Sequence, residues 1–346
     1  MDSLSQFALG AAVGVAVMGR RTAPWKAALW GGALGTLPDL DALIDHGDPV
    51  RNMVLHRAWT HALFWQTLAT VPLAVGIAAV VGRRQAPDGR WRDLPRWLAT
   101  VWLVLVTHAL LDAMTVYGTR LALPFSDHPF AVGSIFIIDP LYTLPLLIGL
   151  AVALAARGRS GPRWNLAGLA LSTIYLGWGA AAQHHVEGVV RAQLASRPDV
   201  ARIEAVLVTP TAFNSVVWRV LLMRPDGYEE GFRSLLDGDR PIRFAVYPGD
   251  GDLLAALRGV EAVEHVARFS RGFFRIDERD GVVRITDLRM GREPSYPFAF
   301  AVARRASAPQ PLVPPVAVGG RGDIGNAAVL RWLWRRAGGK DIDPPR

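Results

Sequence analysis

Apolar residues crowd the first half of this chain. Near-continuous apolar runs cover 4–19, 25–38, 60–82, 97–118, 134–156 and 164–183. A helix needs about 20 such residues to cross a bilayer; the last four runs have them and the first two fall short. Pro72, Gly76 and Pro145 inside the long runs do not exclude helices, because neighbours in a membrane bundle satisfy the backbone groups they free. The pattern predicts an α-helical integral membrane bundle of about six spans over residues 1–185.

The pattern then changes. Residues 186–198 read as a short amphipathic helix leaving the membrane. Apolar and polar positions alternate at 203–208, 215–222, 243–247, 272–276, 282–288 and 298–302, which predicts strands. Arg279-Asp280-Gly281 is a hairpin signal between two of them. Leu253, Leu254, Leu257, Val260 and Val263 keep helical spacing. A small α+β, mainly antiparallel-sheet, extramembrane domain is therefore expected over 186–305. Residues 306–346 follow as a Pro/Gly-rich linker (306–322) and a terminal helix (324–337) carrying Trp332 and Trp334.

Composition sharpens this reading in two ways. The 346 residues include no cysteine, which excludes disulfides and thiolate metal sites. Any metal must then be a hard or borderline ion on His and carboxylate. The net charge is +8, but the basic residues fall in alternate loops. Arg20, Arg21 and Lys26 share one loop; Arg83, Arg84, Arg90, Arg92 and Arg96 share another; Arg157, Arg159 and Arg163 share a third. The intervening loops, 39–58 and 119–133, hold only Arg51, Arg57 and Arg120. By the positive-inside rule the richer loops are cytoplasmic, and the C-terminal domain is extracytoplasmic. No basic patch is interleaved with aromatics, so the expected partner is the lipid bilayer and not nucleic acid.

That orientation brings the chemistry-bearing residues to one depth. Asp39, Asp41, His56 and His61 fall on the outer side, His108 and Asp112 near the outer end of their helix, Asp139 at the outer start of the next, and Gln6 at the outer end of the first. His108 and Asp112 are four apart and share a helix face. Each residue alone has an ordinary structural explanation. His108 can be a satisfied hydrogen-bonder, Asp139 an N-cap, Asp39 and Asp41 loop solubilisers, Arg57 an interface snorkeller, and Trp59 and Trp65 interfacial anchors. Ionisable groups in a bilayer are costly and usually functional, so their joint occurrence points to a shared cation. The expected ligands are Asp39, Asp41, His56, His61, His108 and Asp112 on a divalent metal, with zinc the expected ion. Asp41 and Asp139 are candidate catalytic acids or bases, and Arg57 a candidate partner for a substrate phosphate. His46, His128, His184 and His185 rank lower, and His265 reads as structural.

These motifs resemble the YdjM-type family of inner-membrane proteins. The resemblance rests on the opening Met1–Gln6, the Gly31–Asp41 run ending Leu37-Pro38-Asp39-Leu40-Asp41, the block His56-Arg57-x-x-Thr60-His61, the block Thr107-His108-x-x-Leu111-Asp112, Tyr117-Gly118-Thr119, Pro124-Phe125-Ser126 and Ile138-Asp139-Pro140-Leu141-Tyr142. It covers about 1–185 and extends into the tail through Thr209-Pro210-Thr211-x-Phe213-Asn214-x-x-x-Trp218-Arg219 and Asp287-Leu288-Arg289. It implies a bacterial inner-membrane, metal-dependent hydrolase with distant similarity to zinc-dependent phospholipases C. The chain departs from many relatives at Ala58 and Ala62, where Gly and Ser are usual, and at Gln6, where some have His. The expected function is hydrolysis of a phosphoester or ester in a lipid or lipid-linked substrate at the outer face. Metal transport and a non-catalytic membrane scaffold are the alternatives.

Overall fold

The structure, a computed structural model, describes residues 1–19, 21–82, 91–156, 160–306, 309–320 and 325–345. Arg20, Arg83, Arg84, Arg90, Arg157 and Arg159, which carry much of the expected orientation, lie outside the described residues. The helices in order are α1 (Ser3–Met18), α2 (Pro24–Thr36), α3 (Pro49–Leu55), α4 (Leu63–Gly82), α5 (Leu94–Ala113), α6 (Pro140–Ala155), α7 (Ser160–Ala195), α8 (Gly251–Ala256), α9 (Glu261–Phe269) and α10 (Ala327–Ala337). The chain divides into two units. One comprises Met1–Leu43, Arg57–Val132 and Ile137–Trp178; the other comprises Ile44–His56, Gly133–Phe136 and Gly179–Arg346.

In the first unit α1 packs against α2, α5 and α6, and α4 packs against α5. The α1–α2 contact is set by glycine. Gly10 and Gly14 on α1 face Gly31 and Gly35 on α2, and a Cβ on Gly14 would lie 2.5 Å from the Ala27 carbonyl oxygen. Small residues at this spacing let two backbones meet where side chains would hold them apart. Gly31→Val is therefore expected to destabilise the solubilised protein by about 1–3 kcal/mol, the usual cost of overpacking. Gly76→Ala, whose Cβ would meet nothing within 4 Å, is the neutral comparison in thermal unfolding.

Among the described residues two helices are long and apolar enough to cross a membrane, Leu63–Val81 and Leu94–Ala113. The expectation of about six spans is corrected to these two candidates, because α1 and α6 have 16 residues each and α2 has 13, short of the roughly 20 that a crossing needs. α7 has 36 residues, but Asn165, Ser172, Thr173 and Tyr175 dilute its apolar stretch. The helices nonetheless present large apolar side chains outward: Leu68, Val71 and Val75 on α4, Leu144 and Ile148 on α6, Leu171 and Ile174 on α7. Large apolar side chains exposed along successive helix turns are what lipid, not water, covers.

The second unit holds two four-stranded antiparallel sheets in sequential order. The first is β1 (Ala205–Pro210), β2 (Val217–Arg224), β3 (Gly227–Ser234) and β4 (Phe244–Pro248); the second is β5 (Phe274–Arg279), β6 (Val282–Asp287), β7 (Ala299–Arg304) and β8 (Gln310–Ala317). The six expected strands are all found, and the expected hairpin closes through Asp280 and Gly281, both at positive φ (53° and 73°). β3 and β8 were not expected. Residues 310–317 pair with β7, so the stretch read as a linker contains an edge strand. The C-terminal half of α7 buries Val186, Val190 and Leu194 against Trp218, Val220 and Leu222 of the first sheet. α10 docks Trp332 edge-on to Phe232 at 5.0 Å.

Candidate metal centre

Three segments of the first unit deliver the site. Pro38 ends α2 and opens a 3₁₀ segment, Pro38–Leu43, that carries Asp39 and Asp41. A second 3₁₀ segment, Trp59–His61, precedes α4 and carries His61. Arg57, at a positive φ of 61°, turns the chain into that segment, and its backbone N–H donates to Asp41 Oδ2 at 3.0 Å. α5 brings His108 and Asp112 on one face near its C-terminal end.

Asp39, His61, His108 and Asp112 each offer one ligand atom, and these atoms all lie within 4.8 Å of one another. The Nε2 atoms of His61 and His108 are 3.0 Å apart. Asp112 Oδ2 is 3.1 Å from His61 Nε2 and 3.5 Å from His108 Nε2. Asp39 Oδ1 is 3.4 and 3.6 Å from the same two nitrogens. Asp39 Oδ1 and Asp112 Oδ2 have no hydrogen-bond partner although buried. Two imidazole nitrogens and two buried carboxylate oxygens without hydrogen-bond partners, converging within 4.8 Å, are a donor set that fits a divalent cation.

The outer atoms of these ligands are held in ways that suit the same role. His108 Nδ1 lies 2.7 Å from the Gly35 carbonyl oxygen, so it carries the proton and Nε2 keeps its lone pair for the site. Gly35 allows this because α1 passes so close that a Cβ there would lie 2.5 Å from the Gln6 carbonyl oxygen. His61 Nδ1 lies 2.9 Å from Thr60 Oγ1, whose hydroxyl donates to Asp41 Oδ2 at 2.5 Å. Asp112 Oδ1 accepts from Gln6 Nε2 at 2.9 Å and from the Met1 ammonium. Arg57 Nε is 3.2 Å from Asp112 Oδ2, and its guanidinium lies over the Tyr117 ring at 5.0 Å. Burial would raise the Asp39 carboxyl, but the close imidazoles of His108 and His61 outweigh it and hold it below the usual carboxylate range. Burial would lower His61, and the carboxylates of Asp112 and Asp39 outweigh that, holding it above its ordinary value.

The expected site residues thus separate into groups. Asp39, His61, His108 and Asp112 converge. Asp41 stands behind His61, with its Oδ2 3.6 Å from Nδ1, and Arg57 braces Asp112. His56 caps the C-terminus of α3 and belongs with the second unit, outside the convergent four. Asp139 caps α6, accepting from Leu141 N at 3.0 Å and from Tyr175 Oη at 2.9 Å. Gln6, Thr60 and Gly35 are supporting groups whose parts sequence reasoning did not assign; Gly35 acts through its backbone, which no side-chain pattern announces. Thr60→Val removes the hydroxyl between Asp41 and His61. It is expected to weaken metal binding about 10- to 100-fold, as loss of an outer-shell partner commonly does, measured by competition with a chromophoric chelator.

The sequence profile of a family described as YdjM inner membrane protein matches residues 1–186, which includes every residue of the convergent group. No curated protein and no solved structure matches the chain.

Proposed function

We propose that this chain, which belongs to the YdjM inner membrane protein family, is a metal-dependent hydrolase of a phosphoester or ester in a lipid or lipid-linked substrate. The observation that carries the reading is the convergence of Asp39, His61, His108 and Asp112 with two carboxylate oxygens left without hydrogen-bond partners. A divalent cation there supplies a water of lowered pKa and polarises a carbonyl or phosphoryl oxygen. Zinc suits two imidazoles and two carboxylates, and structural zinc sites are closed while catalytic ones keep one position open.

The chain's own residues have distinct parts in this reading. His61 and His108 present Nε2 because Thr60 and the Gly35 carbonyl hold their Nδ1 atoms. Gln6 and Arg57 orient Asp112. Asp39 is the one convergent residue with an appreciably exposed side chain, 15% against 0–1% for the other three. Substrate therefore approaches from the Asp39 side, and Asp39 is the carboxylate placed to trade metal contact for proton transfer.

The site lies where α4 begins and α5 ends, so Arg92 and Arg96, at the start of α5, are at the opposite end of that helix. That arrangement supports the outer face as the site's location. The test is turnover of lipid phosphoesters and esters by the purified, metal-loaded chain. Hydrolysis that disappears with chelation and returns with metal is the expected result. Stoichiometric metal with no turnover on either bond type favours cation handling instead.

A further inference from the structure

Among the four convergent residues Asp39 is the partly exposed one, and exposed apolar residues neighbour it. Asp39 sits beside exposed Leu40, and Leu43 closes the same 3₁₀ segment with 82% of its surface exposed. Trp59, two residues before His61, is exposed and contacts Trp65 with ring centroids 5.6 Å apart. Trp65 meets Phe64 at 5.0 Å, and Phe64 meets Phe125 at 5.5 Å. Phe125 is 79% exposed. A soluble protein rarely leaves a connected aromatic and aliphatic surface of this kind to water.

The occupant follows from continuity with α4. Phe64, Leu68, Val71 and Val75 are all exposed and recur at positions that share one face of a helix. α4 is one of the two candidate spans, so this stripe is lipid-facing, and the aromatic surface extends it past the start of the helix. Exposed Ser126, Asp127 and His128 directly after Phe125 mark where the apolar surface ends. Aromatic side chains at the end of a span, bordered by polar residues, are the arrangement found at the headgroup level of a bilayer.

We propose that the surface formed by Leu40, Leu43, Trp59, Phe64, Trp65 and Phe125 is immersed at the lipid interface and is the mouth of the metal centre. A substrate headgroup reaches Asp39 sideways from the bilayer while its acyl chains stay on this surface. The word substrate rests on the hydrolase reading above; the immersion of the surface does not.

The absence of cysteine makes the test direct. Leu43→Cys and Phe125→Cys in the full chain each take a single nitroxide label, and Val313→Cys, 91% exposed on β8, serves as the aqueous reference. The labelled proteins are reconstituted into phosphatidylcholine–phosphatidylglycerol vesicles, and metal content checks that each is folded. Labels at 43 and 125 are expected to be relaxed more by oxygen than by a water-soluble nickel chelate, with the opposite order at 313. Equal nickel-chelate access at all three positions overturns the proposal. Leu43→Glu and Phe125→Glu then test entry. The ratio of the rate on vesicle-embedded lipid to that on a short-chain, water-soluble analogue is expected to fall about tenfold, matching the loss of one buried apolar side chain. An unchanged ratio overturns lateral entry. If no variant and no wild-type preparation hydrolyses either substrate, the hydrolase reading fails, and the label accessibilities still decide whether the surface is lipid-immersed.

Discussion

His108→Ala is expected to lose more than about 99% of its affinity for divalent metal, a larger effect than the 10- to 100-fold of an outer-shell change. His108 Nε2 lies within 3.6 Å of His61 Nε2, Asp39 Oδ1 and Asp112 Oδ2, so it is central to the donor set. Its removal leaves two carboxylates facing one another with a single imidazole between them. His61→Ala is expected to behave alike, while His56→Ala, at the C-cap of α3, keeps its metal. Elemental analysis of the detergent-purified wild type and the three variants checks this. Full metal in His108→Ala, or loss in His56→Ala equal to that in His61→Ala, would falsify the four-residue assignment.

Arg219→Ala is expected to destabilise the second unit by about 3–5 kcal/mol, the range for stripping one partner from a buried ion pair. Arg219 is buried on β2, and its guanidinium reaches three groups at once. Nε donates to Glu230 at 2.6 Å, Nη1 to the Leu288 carbonyl at 2.6 Å and Nη2 to Tyr296 Oη at 3.0 Å. Leu288 and Tyr296 belong to the stretch that follows β6, so this one side chain ties the two sheets' segments together. Alanine leaves Glu230 buried and without its cation. The double variant Arg219→Met/Glu230→Met removes both charges and is expected to cost less than Arg219→Ala alone. Thermal unfolding of the full chain, followed by calorimetry, separates the two outcomes.

The fold was legible where local pattern and burial agree. The alternation in β2 and β6 and the turn at Asp280–Gly281 need no distant contact to be recognised. β3 was not legible because its sequence, Gly227–Ser234, carries Glu229 and Glu230 in adjacent positions and reads as a polar loop. Both carboxylates are buried, and arginines from elsewhere satisfy them: Arg197 and Arg224 for Glu229, Arg219 for Glu230. β8 was hidden by its prolines, which an edge strand tolerates because one side of it makes no ladder bonds. The count of spans was overestimated because hydrophobicity registers apolar composition, whereas a crossing also requires unbroken helix length. The short α1 and α2 bury their small residues against each other instead of each facing lipid.

By itself the sequence determined the ligand chemistry and its family. The lack of cysteine limited any metal to imidazole and carboxylate, and the i, i+4 spacing of His108 and Asp112 put both on one helix face. The tertiary structure decided which of the remaining candidates join them. His56 and His61 are five residues apart, yet the segment Ile44–His56 leaves with the second unit, and the chain returns to the first at Arg57. Asp39 and Asp41 are two apart, yet the 3₁₀ turn sends one carboxylate toward the imidazole Nε2 atoms and the other behind His61 to Thr60 and the Arg57 backbone. Spacing along a helix is set by local backbone geometry and can be read from residue numbers. Convergence of loops depends on where distant packing carries the backbone, and only the folded chain contains that.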